Sequence, residues 1–431
     1  MRGAAAQKRW TVMVYLAGDN NLDGAGVVDL KEMKKVGSTS DINLLAQFDR
    51  RGTATHTQRY VLKKGGSLDG DSVADLGETN TGDPKVLQDF IEWGAGQYPA
   101  DHYLVVVWNH GAGWDDTNIY GTARRLLKLD VTRKGATVGR ARGAALGTIS
   151  SRQVRTMADG RFKRALFNTT IQRAAHSRAI AFDDNAKDFL DNLEMKRLLA
   201  GANKTLGRKI DILGMDACLM SMVEVVYQLR DTVMFAVGSE QTEPGDGWPY
   251  DKILGELAKQ PGMSPSDLSK VIVNRYLASY SPAEPVTQSA FDLSQSAVMV
   301  TAADQLAKAL TGNLNNAAVR GAMRDARGQV QDYEDLDYVD LVDLSTLLQS
   351  QIDVPAIKNA CQAVQDAARL GKFVVAAGFK GKPLANSHGV SIYFPTKTLS
   401  PLYAGLDFTK DTAWGGFLRG YIDAAARRPT L

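Results

Sequence analysis

Lys209 to Leu229 reads KIDILGMDACLMSMVEVVYQL. Ile210, Ile212 and Leu213 form a short apolar run ending in Gly214, and Leu219, Val223, Val226 and Tyr227 then recur at helical spacing. The stretch therefore predicts a buried strand that turns into a helix, with Cys218 at the join. A thiol in that place meets the free N–H groups and positive dipole end of the helix, which favours the thiolate. A lone cysteine is more often just a small buried apolar residue. Asp216 turns the reading: it lies two positions from Cys218, so on an extended chain both side chains leave the same face. An apolar core has no use for that carboxylate.

Working outward, Trp10 to Ala17 (WTVMVYLA) and Tyr103 to Trp108 (YLVVVW) are continuous apolar runs, as strands buried on both faces require. Ile42 to Phe48, Thr57 to Leu62 and Val233 to Val237 read as further strands. Asp83-Pro84 opens a helix through Leu87, Phe90 and Ile91 with proline at its first position, and Leu190 to Ala200 reads as another helix. Strands alternating with helices predict an α/β fold whose mostly parallel central sheet is covered on both faces. The second half reads as mainly helical (about Ser264 to Leu277, Ser294 to Leu314, Val339 to Leu348 and Pro355 to Arg369), with strands near the end at Phe373 to Ala377 and Val390 to Phe394. The expected division is a catalytic domain over residues 1–122 and 181–295, an insert over 123–180, and a helical C-terminal portion over 296–431 whose final strands pack on the catalytic domain.

The chain has 431 residues and ordinary globular composition. No segment has the apolar length to span a bilayer, and Met1 to Arg9 (MRGAAAQKR) has charge without an apolar signal core, so a cytoplasmic location and no membrane partner are expected. Two cysteines, Cys218 and Cys361, offer no disulfide framework, which suits a reducing compartment. Cys361 shares a helical pattern with Ile357, Val364 and Ala368 and reads as core. Net charge is +3, but between Ala123 and Ile180 there are 14 Lys or Arg against two Asp, leaving 37 basic and 46 acidic residues elsewhere. An acidic body carries a basic insert.

A thiolate nucleophile needs a partner that takes and returns a proton near neutral pH, and histidine does this best. The chain has five histidines. Reacting groups in open parallel sheets gather beyond the carboxyl ends of the strands, where His110 and Cys218 both stand. His102 and His388 precede their strands and are expected at the opposite edge, the latter if its strand is parallel; His176 lies in the insert. The N–H of Gly111, together with that of Cys218, is placed to stabilise an oxyanion.

By this point WNHGAGW at Trp108 to Trp114, MDACLMSMVEV at Met215 to Val225 and GSEQTEPGDGWPY at Gly238 to Tyr250 resemble the clostripain family of cysteine peptidases, which share a caspase-like α/β/α fold. The opening VMVYLAGDNNLD and the late HGVSIYFP resemble family segments as well. The resemblance implies a His–Cys dyad at His110 and Cys218, an acyl-enzyme, and an acidic pocket at Asp216 and Asp246 for an Arg or Lys side chain. The substrates so implied are proteins or peptides with exposed Arg or Lys. For Asp246 the competing reading is a residue that merely shapes the Pro244-Gly245-Asp246-Gly247 turn.

Other classes have less behind them. Asp19-Asn20-Asn21-Leu22-Asp23-Gly24 matches the start of a calcium loop, but its twelfth position, which needs a bidentate acid, is Leu30. No cofactor is required by the sequence, and calcium has no complete loop behind it. H-E-x-x-H, paired C-x-x-C, P-loop and G-x-S-x-G motifs are absent. The rivals are a nucleic-acid binder using the basic insert, which has only Phe162 and Phe167 as aromatics, and a catalytically dead caspase-like scaffold.

The insert carries the residues the acidic pocket would prefer: Arg124, Arg125, Arg133, Lys134, Arg140, Arg142, Arg152, Arg155, Arg161, Lys163, Arg164, Arg173 and Arg178. Long polar segments of this kind are where proteolytic nicking concentrates. It begins soon after His110, so a zymogen is expected in which the insert blocks the acidic cleft until cut, by the protein itself or by an upstream protease. The alternative is an inert surface insertion.

Overall fold

The computed structural model describes residues 7–19, 22–50, 56–111, 113–114, 130–132, 135–137, 148–149, 165–168 and 190–426. Its strands are β1 (Lys8–Gly18), β2 (Ile42–Arg50), β3 (Gln58–Val61), β4 (Ser72–Asp75), β5 (Ala100–Trp108), β6 (His110–Gly111), β7 (Asp130–Thr132), β8 (Gly135–Thr137), β9 (Thr148–Ile149), β10 (Ala165–Asn168), β11 (Leu190–Asp191), β12 (Ile210–Asp216), β13 (Val233–Gly238), β14 (Val286–Asp292), β15 (Tyr338–Asp340), β16 (Val374–Lys380) and β17 (Ser391–Tyr393). Nine of them form one sheet in the order β16-β14-β13-β12-β5-β1-β2-β3-β4. Its centre, β13 through β2, is parallel, and antiparallel strands close both edges.

The apolar runs become central strands because alternate side chains go to opposite faces and both faces are covered. Met13, Tyr15, Leu45, Val105, Val107, Leu213 and Met215 enter one core with the helices Pro84–Gln97, Asn192–Leu206 and Val223–Leu229. Val12, Val14, Leu16, Leu44, Leu104, Val106 and Ile212 enter the other with Asp23–Val36, Tyr250–Lys259 and Pro265–Ser279. The helix Asn192–Leu206 starts where it does because Asp191 and Glu194 form a reciprocal capping box. The result is the expected three-layer α/β/α arrangement.

The C-terminal residues 296–431 do not stand apart from this sheet. β16 pairs with β14 along Val286–Phe291 and makes the sheet's edge, so a boundary at residue 296 cuts through the sheet. β14 itself is not visible as a strand in the sequence, because its inner positions include Thr287, Gln288 and Ser289, all buried. β17 leaves the main sheet altogether and pairs antiparallel with β15. No helix among the described residues is long and apolar enough to cross a membrane.

Candidate active site

β5 and β12 are neighbours, and their pairing continues to the last residue of each, Trp108 opposite Asp216. One step on, the Asn109 N–H donates to the Asp216 carbonyl at 3.3 Å and its side chain donates to the Ala17 carbonyl at 3.1 Å. The two strands therefore deliver His110-Gly111 and Ala217-Cys218 side by side. Gly111 lies so close that a Cβ built on it falls 2.2 Å from the Cys218 carbonyl oxygen and 2.9 Å from its nitrogen. Only a glycine permits that approach. The backbone of His110 is described, but its side chain lies outside the described residues, as do His176, Ala112 and all thirteen basic residues proposed as processing points in the insert.

The helix after Cys218 starts at Val223, later than the sequence pattern suggests. Cys218 instead occupies a turn whose next residue, Leu219, has a φ of 63°. That left-handed conformation is costly for a branched side chain, and it is held here by burial of Leu219 and by its N–H on the Gln241 carbonyl at 3.2 Å. The groups that face the sulfur are thus not helix N–H groups. The Glu243 N–H donates to Sγ at 3.2 Å, and the N–H groups of Gly111 and of Cys218 itself also pull the thiol pKa down. Burial outweighs them and pushes the thiol up. A thiol so raised calls for a base to ionise it.

Behind the thiol the chain has collected acids. Asp216 is buried, accepting from the Tyr250 hydroxyl at 2.8 Å and the Trp248 N–H at 3.4 Å. Burial raises its pKa to about 6. The Glu243 carboxyl meets that of Asp216 and is raised well above the ordinary range, by burial first and by the Asp216 charge second. Asp29, on the helix Asp23–Val36, is lifted to about 9 by burial and then by Asp216. Asp246 is exposed, at the rim of a cleft of about 400 Å³ lined also by Asp29, Glu32, Gly247, Tyr280 and Glu284. Gly247 lines the same cleft and backs onto Asp216, since a Cβ on it would sit 3.3 Å from both Asp216 carboxylate oxygens. Asp216 therefore lies behind Gly247 and is not itself among the residues lining the cleft. Sequence reading missed Glu243 and Asp29; an acid placed just before Pro244-Gly245 in the motif loop was the available signal for the first, and Asp29 had none.

His102 stands at the amino edge as expected, with Nδ1 3.0 Å from Asp211. The placement of His388 differs from expectation. Because β17 is outside the main sheet, Gly389 reaches the carboxyl end of β13, where its N–H donates to Glu240 and its carbonyl accepts from Ser289, the partner of Gly238. His388 is held by Asp340, whose carboxylate accepts from its N–H and lies 3.1 Å from its Nδ1. The C-terminal portion also anchors the loop after His110. Gly113, at φ +70°, is wedged against Tyr338 and Met222, and Trp114 is buried against Tyr393 and Tyr403 at 4.7 and 4.8 Å.

Asp23, from the calcium-like stretch, is held by Arg50 through two 3.0 Å contacts, and Asn20 and Asn21 are outside the described residues. Among the described residues no group of three or more His, Cys, Asp or Glu is arranged to hold a metal ion.

Residues 14–137 and 168–420 match the family described as Peptidase_C11, the clostripain family. Clostripain of Hathewaya histolytica is 27% identical over 288 residues, which is 60% of this chain. The match spans 44% of that protein's length. A secreted C11 cysteine protease from Bacteroides thetaiotaomicron, solved with an irreversible peptide inhibitor, superimposes with a TM-score of 0.61 at 19% identity over 95% of this chain and 99% of its own. An inactive zymogen C11 protease from Parabacteroides distasonis gives 0.61 and 19% over 94% and 99%. At these identities the two structures speak for the fold.

Proposed function

The chain belongs to the clostripain family of C11 cysteine peptidases, and on that footing we propose that it is an endopeptidase cutting after Arg, and less well after Lys, with Cys218 as nucleophile and His110 as base. The observation that carries this reading is the seating of Gly111 on the backbone of Cys218, which makes the ends of β5 and β12 a single site. His110 takes the thiol proton as sulfur attacks the scissile carbonyl carbon. The oxyanion so formed accepts from the N–H groups of Gly111 and Cys218. His110 then gives its proton to the departing amine, leaving an acyl-enzyme, and water hydrolyses the thioester with His110 again as base.

Specificity follows from charge. A guanidinium offers a planar fork of donors to carboxylates, and a buried one such as Asp216 attracts it more strongly than an exposed one. Asp246 at the rim supplies a weaker contribution. Matched fluorogenic peptides carrying Arg, Lys, Asp or Leu before the scissile bond test this; preference for Asp or Leu sinks it.

The insert over 123–180 is read as an inhibitory segment released by cutting. Support comes from β10, a strand of that insert, which pairs antiparallel with β6: Phe167 opposite Gly111 and Asn168 opposite His110. β11 continues the same small sheet. A strand laid along the proposed histidine and oxyanion glycine occupies space a substrate backbone would need. The zymogen relative from P. distasonis is a precedent in the family. Replacing the insert by a short Gly/Ser linker should give constitutive activity, and one foreign protease site within it should make activity depend on that cut. Full activity of the uncut chain, unchanged by cutting, overturns the zymogen reading.

A further inference from the structure

The loop Gly238–Tyr250 does more than shape a turn beside Asp216. Glu243 touches both halves of the site: its backbone N–H is on Cys218 Sγ at 3.2 Å, and its carboxyl lies against Asp216. Its Oε1 accepts from the Gln288 amide at 3.3 Å, whereas the buried Oε2 has no N–H or hydroxyl partner, and the Glu243 side chain bonds to that of Asp216. Close by, the Tyr276 hydroxyl is also buried without a hydrogen-bond partner, and Glu243 and Asp216 are the carboxylates whose charges it senses. No basic side chain among the described residues pairs with Asp216 or Glu243.

Two carboxylates in contact are acceptors only, and away from water they stay together only by holding a proton between them. A carboxyl pair held by one proton beside an orphan hydroxyl donor forms a polar network that is complete only with another group in it. The acids are arranged for a cation with several donors.

We propose that Glu243 is a third carboxylate of the basic-residue pocket, closed on Asp216 when the pocket is empty and opened when a substrate guanidinium enters between the two. The inference rests on the reading that Asp216 receives the substrate's basic side chain. On binding, the proton held by the pair leaves to solvent and two carboxylates grip the guanidinium. Because the Glu243 N–H also contacts the sulfur, filling the pocket moves the segment that covers the nucleophile. Glu243 is thus a specificity residue and, through its backbone, a positioning residue for Cys218.

The test uses the full chain in whichever of its cut and uncut forms hydrolyses an Arg peptide, with benzamidine as a reversible cationic probe. Titration calorimetry in two buffers of different ionisation enthalpy should show about one proton released per benzamidine bound at pH 6.5 to 7 in the wild type. Glu243→Gln keeps the size and the Gln288 contact; it should release none, weaken benzamidine about tenfold or more, and raise KM for Arg peptides with little change in kcat. Glu243→Asp should restore part of the proton release. Alkylation of Cys218 by iodoacetamide at the wild-type rate in Glu243→Gln shows that the nucleophile is intact. If Glu243→Gln binds benzamidine and releases protons like the wild type while Asp216→Asn abolishes binding, the role of Glu243 is wrong and the acidic pocket stands. If Asp216→Asn also leaves binding and Arg preference unchanged, the pocket reading itself falls.

Discussion

The two ends of the central strands handle charge in opposite ways. At the amino edge the buried Asp211 has its cation: it accepts from Arg208 at 2.6 and 2.7 Å, from His102 at 3.0 Å and from the Tyr103 N–H at 2.9 Å. At the carboxyl edge Asp29, Asp216 and Glu243 gather without a basic partner among the described residues, and all three carboxyls are raised. The first arrangement is complete within the fold. The second keeps its acids raised, and on the proposal made above it is the receptive cluster, the first being structural.

The largest break in that comparison comes from the nucleophile. Cys218→Ala and His110→Ala should each lower kcat by about 10⁴-fold or more, and the double variant should lose little beyond either one, as for groups that act as a unit. Circular dichroism should report an unchanged fold. Near-normal turnover in either variant moves the chemistry away from the carboxyl edge.

Gly111→Ala comes next. Its methyl would lie 2.2 Å from the Cys218 carbonyl oxygen, so the ends of β5 and β12 must part. A displacement of that order should cost about 10²-fold in kcat/KM on peptides. Unchanged kinetics would mean the two ends are not held as one site.

Asp211→Ala tests the other edge. It strips the shared acceptor from Arg208, His102 and Tyr103, and should cost about 2–3 kcal/mol in urea unfolding. Peptide turnover per folded molecule should be unaltered. A proportional loss of kcat would tie the amino edge to catalysis and blur the contrast.

The last test, Asp29→Asn, concerns a single acid of the carboxyl edge. The native Asp29 keeps its proton up to about 9, whereas the unfolded residue loses it near the ordinary carboxyl value of 3.8. Between those values the native state binds the extra proton, so stability falls as pH rises. Asparagine has nothing to ionise; the variant's gain in Tm over the wild type should therefore be greater at pH 8 than at pH 4.5. A gain that is equal at both, or larger in acid, means Asp29 is not a buried neutral carboxyl.

What the sequence disclosed depended on whether local pattern and tertiary environment agreed. β1, β5 and β12 were legible because central parallel strands need unbroken apolar runs. β14 was not, because its polar side chains are satisfied by distant partners: Ser239 on Thr287, Glu243 on Gln288 and Ser221 on Ser289. For the site, the structure places Cys218, Gly111 and Asp216 side by side at the ends of β5 and β12. The environment of the sulfur was misread, because helical spacing at Leu219 hides a left-handed turn and the helix begins at Val223. His388 was expected at the amino edge only if its strand ran parallel in the sheet, and nothing local announces that β17 leaves the sheet.

The adjacency of β5 and β12 also bears on chain length. Their pairing joins segments that flank the insert and closes a loop of roughly a hundred residues, and closure entropy grows only with the logarithm of length, so doubling that whole loop would cost about 0.6 kcal/mol. Insert length therefore costs the fold little to vary, while the registry of Trp108 with Asp216 is fixed by the sheet. Permuted chains opened within 123–180 should fold to the same sheet.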